Sequence, residues 1–227
     1  MTKDTYALLE KYMLSCMGDS AHDKEHVYRV LYNALEIAGS EKDVDLDILI
    51  CACLLHDIGR KEQFENPKLC HAQVGGDKAY AFLTAHGFSD EFSDRVRDCI
   101  KTHRFRREAP PQSIEAKILF DADKIDVAGA IGIARTLVYR GTVGEPLYSL
   151  NPDGTVSDGE NDSQPSFFRE YKYKLEKIYS GFMTERGREI AEKRRQNAVN
   201  FYSSLLDEVK SSYENGIENL RSCIESS

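Results

Sequence analysis

The stretch DILICACLLHDI, residues 47–58, is the feature that most restricts how this chain can fold. If it is helical, apolar side chains cover nearly all of its faces, so other parts of the chain have to surround it. Asp45 or Asp47 is placed to begin this helix, and Gly59 is placed to end it. The sequence therefore predicts a deeply buried helix that stops at a histidine–aspartate pair.

Apolar residues in the rest of the chain repeat mainly at helical spacing, as Val27, Val30 and Leu31 do, and patterns typical of strands are scarce. The predicted class is all-α. We expect further helices over residues 5–17, from Asp23 to Ala38, over 71–86, from Ser89 to about His103, and over 113–140, 166–182 and 184–213.

The segment NPDGTVSDGENDSQPS, residues 151–166, is the most polar and turn-rich part of the chain. It predicts an exposed loop or lid that divides the chain without proving two domains. We expect a single domain with a core over residues 1–145, a polar loop or lid over 146–165, and a C-terminal helical extension over 166–227 that packs on the core.

The formal net charge of −8 argues against a broad surface for DNA, RNA or an acidic membrane. The basic stretch KTHRFRR, residues 101–107, suits a small anionic ligand instead. No apolar stretch is long enough to span a bilayer, and charges interrupt the N-terminus too early for a signal peptide. We therefore expect a cytoplasmic protein without a nucleic-acid or membrane partner, and the sequence leaves a homodimer open.

The histidine–aspartate pair, His56 and Asp57, needs partners because a buried imidazole and carboxylate are costly when unpaired. His26 and Asp123 lie on two other predicted helices in apolar surroundings. Three helices that meet at one point would place two imidazoles and two carboxylates around one cation. Such a mixed set suits Mn²⁺, Fe²⁺, Co²⁺, Ni²⁺ or Mg²⁺, and an octahedral ion would keep two positions for water and substrate.

Each of these residues has an ordinary interpretation when it is taken alone. A histidine at a helix end is usually a cap or a hydrogen-bonded core residue, and an acidic helix such as DADKID is usually a solvated face. Only the joint pattern of His26, His56, Asp57 and Asp123 favours a metal site.

With its flanking blocks, this pattern resembles the HD superfamily of metal-dependent phosphohydrolases. The blocks AHDKEHVYRV, LLHDIGRKE, CHAQVGG, IKTHRFR, EAKILFDADKIDVAGAIGIAR and YRGTVGEPLY are similar to a bacterial branch of small HD hydrolases that includes nucleoside triphosphate pyrophosphohydrolases. The C-terminal segment KLEKIYSGFMTERGREIAEKRRQNAVNF is similar to the same branch, so the resemblance covers nearly the whole chain.

The resemblance implies a helical bundle and a divalent metal held by His26, His56, Asp57 and Asp123. It also implies hydrolysis of a phosphate ester or anhydride, with a nucleoside triphosphate cleaved to a monophosphate and pyrophosphate as the favoured reaction. Asp121 lies in the same motif as Asp123 and is the alternative last ligand.

For catalysis, we expect Asp57 to hold the attacking water in line and accept its proton. His71 and His103 each stand at a predicted helix end near the motif. Either could protonate the leaving oxygen, contact phosphate or help to bind a second metal.

Phosphoryl transfer needs cations near the developing charge. We expect substrate contacts from Arg60, Lys61, Arg104, Arg106 and Asp126; for each cation the alternative is a solvated surface charge. Asp121 and Asp126 could instead support a ligand.

Other functions remain open from the sequence alone. The chain could be a nucleoside 5′-monophosphate phosphatase, or a non-catalytic HD module that senses a nucleotide, and its metal could be purely structural.

Overall fold

The computed structural model describes residues 1–17, 24–104 and 110–225. These residues form helices joined by turns, and the β structure among them is an isolated bridge between Leu150 and Val156. The predicted all-α class is confirmed. Within the same residues, no helix combines the length and apolar composition that crossing a membrane requires.

The α-helices are α1 (Lys3–Cys16), α2 (Lys24–Ala38), α3 (Leu46–Leu55), α4 (Arg60–Glu65), α5 (His71–Ala85), α6 (Asp90–Thr102), α7 (Ile114–Ile125), α8 (Gly129–Thr142), α9 (Phe167–Glu170) and α10 (Glu185–Glu225). Between α9 and α10 lie a π-helical turn (Tyr171–Leu175) and a 3-10 turn (Ile178–Ser180).

The chain divides into two compact units. The first consists of Met1–Asp126 and Phe182–Glu189, and the second of Val127–Gly181 and Ile190–Ser227. This division differs from the boundary expected after residue 145, because α8 belongs to the second unit.

Helix α3 is the centre of the first unit, as its apolar sequence predicts. It packs against α1, α2, α5, α6 and α7, and its side chains from Ile48 to Leu55 are almost all fully buried. Asp45, rather than Asp47, caps its first turn, since the Asp45 carboxylate accepts hydrogen bonds from the backbone N–H groups of Asp47 and Ile48. The result is a fixed helix end at His56.

The expectation of one continuous helix over residues 113–140 is wrong. Helix α7 ends at Ile125, and Asp126 caps it through its backbone N–H. Helix α8 begins only at Gly129, whose φ of +68° belongs to the left-handed region and does not continue a right-handed helix. This break places Asp126 at a helix end.

The core of the second unit combines aliphatic side chains with a group of buried aromatic rings. The rings of Tyr171 and Tyr202 stack with centroids 4.0 Å apart, and Phe168 meets Tyr202 edge-on at 5.6 Å. The helix expected over 166–182 is present only as α9 and the two short turns that follow it. The expected helix from 184 is confirmed as α10 and extends to Glu225.

Candidate metal centre

Four side chains predicted as metal ligands come together in the first unit. His26 stands in the first turn of α2, His56 and Asp57 follow α3, and Asp123 lies near the end of α7. The His26 Nε2 atom is 3.3 Å from Asp123 Oδ1, 3.4 Å from His56 Nε2 and 3.6 Å from Asp57 Oδ2. His56 Nε2 lies 3.7 Å from the same Asp57 oxygen.

These separations suit a shared cation. Neighbouring ligand atoms on an octahedral ion with bonds of about 2.1–2.3 Å lie roughly 3.0–3.3 Å apart. The observed separations of 3.3–3.7 Å therefore need only a small contraction. Two nitrogen and two oxygen donors form a set that accepts Mn²⁺, Fe²⁺, Co²⁺ or Ni²⁺.

The hydrogen bond of His56 fixes which ring nitrogen carries the proton. Its Nδ1 lies 2.7 Å from the carbonyl oxygen of Cys53, which can only accept, so Nδ1 donates. The neutral ring then directs the Nε2 lone pair towards His26 and Asp57. Burial lowers the pKa of His56 to about 4, because the charged ring would be desolvated and would face His103 and His26, and this outweighs the opposing charges of Asp57 and Asp123.

Asp126 lies behind His26 and is fully buried. Its Oδ2 is 2.7 Å from His26 Nδ1, and its Oδ1 accepts a hydrogen bond of 2.7 Å from Arg29 Nε. The sequence-based expectation of a substrate contact therefore does not match its surroundings. The pair that it forms with His26 is the arrangement that orients imidazole ligands in metal proteins.

The carboxylates around His26 change the pKa values of the centre. Burial would lower the pKa of His26, but hydrogen bonds to Asp123 and Asp126 outweigh burial and raise it to about 9. Burial would raise the pKa of Asp57, yet neighbouring charges, including Arg60, hold it well below its usual value. Without a metal, His26 is therefore protonated at neutral pH beside ionised carboxylates.

Asp121, the alternative last ligand, points elsewhere. It is buried and accepts hydrogen bonds from the backbone N–H groups of Met183 and Thr184 and from the Thr184 hydroxyl. Gly187 approaches so closely that a Cβ there would lie 2.6 Å from Asp121 Oδ2. Asp121 thus attaches the segment before α10 to α7, and it is Asp123 that faces His26.

The second oxygen of Asp57 faces two further histidines, both of which are buried. Asp57 Oδ1 lies 3.5 Å from His71 Nε2 and 3.9 Å from His103 Nε2. The three potential ligand atoms are within 4.8 Å of one another. Asp57 therefore stands between two groups of possible metal ligands, and the sequence had left the roles of His71 and His103 open.

Gly59 allows this second group to form. A Cβ at Gly59 would lie 2.3 Å from the His71 carbonyl oxygen and 2.6 Å from the Gly75 backbone nitrogen. Only a residue without a side chain lets the turn after Asp57 lie so close to the start of α5. The sequence indicated Gly59 as a helix end but contained no signal for this contact.

Two of the predicted phosphate-binding cations adjoin the centre. Arg60 Nε donates to Asp57 Oδ1 at 2.9 Å, and Arg104 Nη1 lies 3.4 Å from His71 Nδ1. Lys61 is exposed on α4. Arg106 lies outside the described residues.

Residues 24–128 match the family model of the HD domain. The chain is 31% identical over 194 residues to the YpgQ protein of Bacillus subtilis, across 84% of this chain and 85% of YpgQ. A crystal structure of YpgQ in complex with ADP is similar with a TM-score of 0.70 at 28% identity, covering 90% of this chain and 97% of that one.

A structure from an uncultured Thermotogales bacterium, described as a predicted HD superfamily hydrolase, is similar with a TM-score of 0.60 at 31% identity. That likeness covers 88% of this chain and 90% of the other. The relatives, the matched domain and the histidine–aspartate cluster agree, and the chain belongs to the HD-domain family as an HD-superfamily hydrolase.

Proposed function

We propose that this protein is a divalent-metal-dependent phosphohydrolase that cleaves a nucleoside triphosphate to a monophosphate and pyrophosphate. One observation carries the proposal: four ligand atoms meet at one point. His26 Nε2 lies 3.3–3.6 Å from Asp123 Oδ1, His56 Nε2 and Asp57 Oδ2, and His56 Nε2 lies 3.7 Å from Asp57 Oδ2. The complex of the related YpgQ with ADP supports a nucleotide as the ligand.

The proposed ligands are His26, His56, Asp57 and Asp123. A divalent cation bound there would activate a water molecule near neutral pH and polarise the phosphoryl oxygen. Asp126 keeps His26 in the orientation that directs its Nε2 into the site. Burial of His26 and His56 excludes bulk water from these two rings, which strengthens their electrostatic interactions.

Asp57 positions the attacking water in this proposal. Its pKa is well below the usual value, so it is a weak base and acts mainly by accepting a hydrogen bond from that water. The water adds its oxygen to the α-phosphorus and gives up one proton, the bond from that phosphorus to the bridging oxygen breaks, and pyrophosphate leaves with that proton on the oxygen that formed the bridge. Arg60 and Arg104, which adjoin the centre, would bind the phosphate oxygens as negative charge develops.

A nucleotide panel tests the proposal. Purified protein is supplied in turn with Mn²⁺, Mg²⁺, Co²⁺ and Ni²⁺, and products from ribo- and deoxyribonucleoside triphosphates and monophosphates are separated by chromatography. We expect monophosphate and pyrophosphate in equal amounts, with no release by the His56→Ala variant.

The other products identify the alternatives. Inorganic phosphate released from monophosphates would replace the proposal with a 5′-monophosphate phosphatase. Saturable nucleotide binding without any product would replace it with a sensor module.

A further inference from the structure

Phe64 on α4 is the most exposed large apolar side chain among the described residues. Its exposed fraction is 78%, compared with 65% for Ile224 and 62% for Tyr32. Single apolar side chains are ordinary on a protein surface, so exposure alone does not indicate a ligand. Phe64 differs from the others by its place beside the candidate metal centre.

Two other side chains of α4 fix that place. Arg60 Nε donates to Asp57 Oδ1 at 2.9 Å, and Gln63 Oε1 lies 2.7 Å from His71 Nδ1, so α4 adjoins the centre through these residues. Residues four apart on a helix are neighbours on its surface, with Cβ atoms about 5–6 Å apart. Phe64 therefore stands next to Arg60, one helical turn further from Asp57.

Helix α4 is a fixed support for the exposed ring. Gln63 Nε2 donates to the Leu69 carbonyl at 3.0 Å, which attaches the following turn to the helix. Lys78 Nζ pairs with Glu62 Oε1 at 2.6 Å, which attaches α4 to α5. The position of Phe64 is therefore set before any ligand arrives, and a preformed contact costs a ligand less ordering entropy.

A nucleotide bound as in the proposed function would extend towards Phe64. With its α-phosphate at the metal and phosphate oxygens at Arg60, one ribose separates the phosphate from the base, a span comparable with one helical turn of about 5.4 Å. We propose that Phe64 stacks on the base of the bound nucleotide. The choice of a nucleotide as the ligand rests on the proposed function.

This contact determines how selective the protein is. Every base has a π face, so an aromatic ring stacks on all of them, and differences arise mainly from stacking strength. A phenyl ring also has no hydrogen-bonding group to read the edge of a base. Arg60 and Phe64 would therefore recognise phosphate and base separately, with all bases accepted and the larger purines bound more tightly.

The absence of tryptophan from the chain allows a direct test. Phe64→Trp introduces a single indole at the proposed contact. The probe is the ATP analogue with a methylene group in place of the oxygen between the α- and β-phosphorus, which the proposed reaction cannot cleave. With Mg²⁺, we expect this analogue to quench the indole fluorescence saturably, and inorganic tripolyphosphate, which has no base, to bind without quenching.

The control is Tyr32→Trp, because Tyr32 is an exposed aromatic residue on α2 of the same unit. Its fluorescence should not respond to the analogue.

Affinity measurements distinguish stacking from simple apolar contact. By calorimetry with Mn²⁺, the analogue should bind about 5–100-fold more weakly to Phe64→Ala than to the wild type. Phe64→Leu keeps an apolar side chain without a ring and should be weakened nearly as much. Tripolyphosphate should bind equally to all three proteins, and Tyr32→Ala should bind the analogue as the wild type does.

Four results would overturn the inference. They are quenching by tripolyphosphate as strong as that by the analogue, measured binding of the analogue without quenching, full affinity in Phe64→Ala or Phe64→Leu, and no binding of the analogue to the wild type with either metal.

Failure of the base contact also differs from failure of the proposed function. A protein whose Phe64→Trp fluorescence is quenched by the analogue but that forms no pyrophosphate keeps the contact and loses the reaction. One that forms pyrophosphate while Phe64→Ala retains full affinity does the reverse.

Discussion

The two compact units of this protein contain opposite kinds of core. In the first, a buried apolar helix ends in a cluster of buried imidazoles and carboxylates. In the second, buried aromatic rings stack, and the Tyr202 hydroxyl donates to the Asp158 carbonyl at 2.5 Å.

The comparison indicates different roles for the two sets of buried side chains. The aromatic rings of the second unit stabilise the fold, and the histidines and aspartates of the first unit serve the chemistry. Stacked and edge-on aromatic pairs stabilise a fold directly. Buried polar atoms without a hydrogen-bond partner, such as His71 Nε2 and His103 Nε2, reduce stability unless something binds them. Loss of a ligand in the first unit should therefore harm activity more than stability, and loss of a ring in the second should do the opposite.

The largest expected effect follows from His56→Ala. Because this change removes one proposed ligand from the metal, we expect kcat/KM to fall by about 10³-fold or more. The free energy of unfolding of the metal-free protein should change much less than for a typical core truncation. Steady-state kinetics and urea unfolding measure the two quantities, and an unfolded His56→Ala protein would instead indicate a structural metal.

Phe168→Ala provides the opposite case in the second unit. Its ring is fully buried, and removal should lower the free energy of unfolding by about 3–5 kcal/mol. At temperatures well below its melting transition, the number of metal ions bound should equal that of the wild type. A variant of normal stability that loses metal would contradict the division between the two cores.

Asp126→Asn tests the support of a ligand within the first unit. The weaker hydrogen bond to His26 Nδ1 should reduce metal affinity by about 10–100-fold. Asp121→Asn is the matched control on the same helix, because Asp121 contacts Met183 and Thr184 instead. Calorimetric titration should show reduced affinity for the first variant and unchanged affinity for the second.

Counted per pH unit, the smallest expected effect on metal affinity is its pH dependence. The pKa of His26 is raised to about 9, so a metal has to displace a proton from this ring at neutral pH. Affinity should rise by about tenfold per pH unit below pH 9 and then level off. Titration in buffers with different ionisation enthalpies measures the released proton, and equal heats in all buffers would contradict the prediction.

The raised pKa of His26 makes the metal-free protein less stable as pH rises, whereas metal affinity increases with pH. A pKa raised from 6.5 stabilises the folded state fully below pH 6.5, and this contribution is lost as pH rises through 9. Thermal unfolding of the metal-free protein should therefore occur at a lower temperature at pH 9 than at pH 6.5.

The sequence alone predicted the helical class and the central helix. It also contained the histidine and aspartate motif that pointed to the HD family. These features are local, because periodic apolar residues identify a buried helix and an acidic residue before it identifies the cap. The histidine–aspartate pair was recognisable for the same reason, since a long apolar run ends directly in two polar side chains.

Only the tertiary structure decided which donors meet. Asp57 faces His71 and His103 because Gly59 lies against the start of α5, and Asp126 reaches His26 because the chain breaks before Gly129. Helical periodicity indicates which face of a helix is buried but not which distant residue it meets. Those contacts depend on packing between helices far apart in the chain.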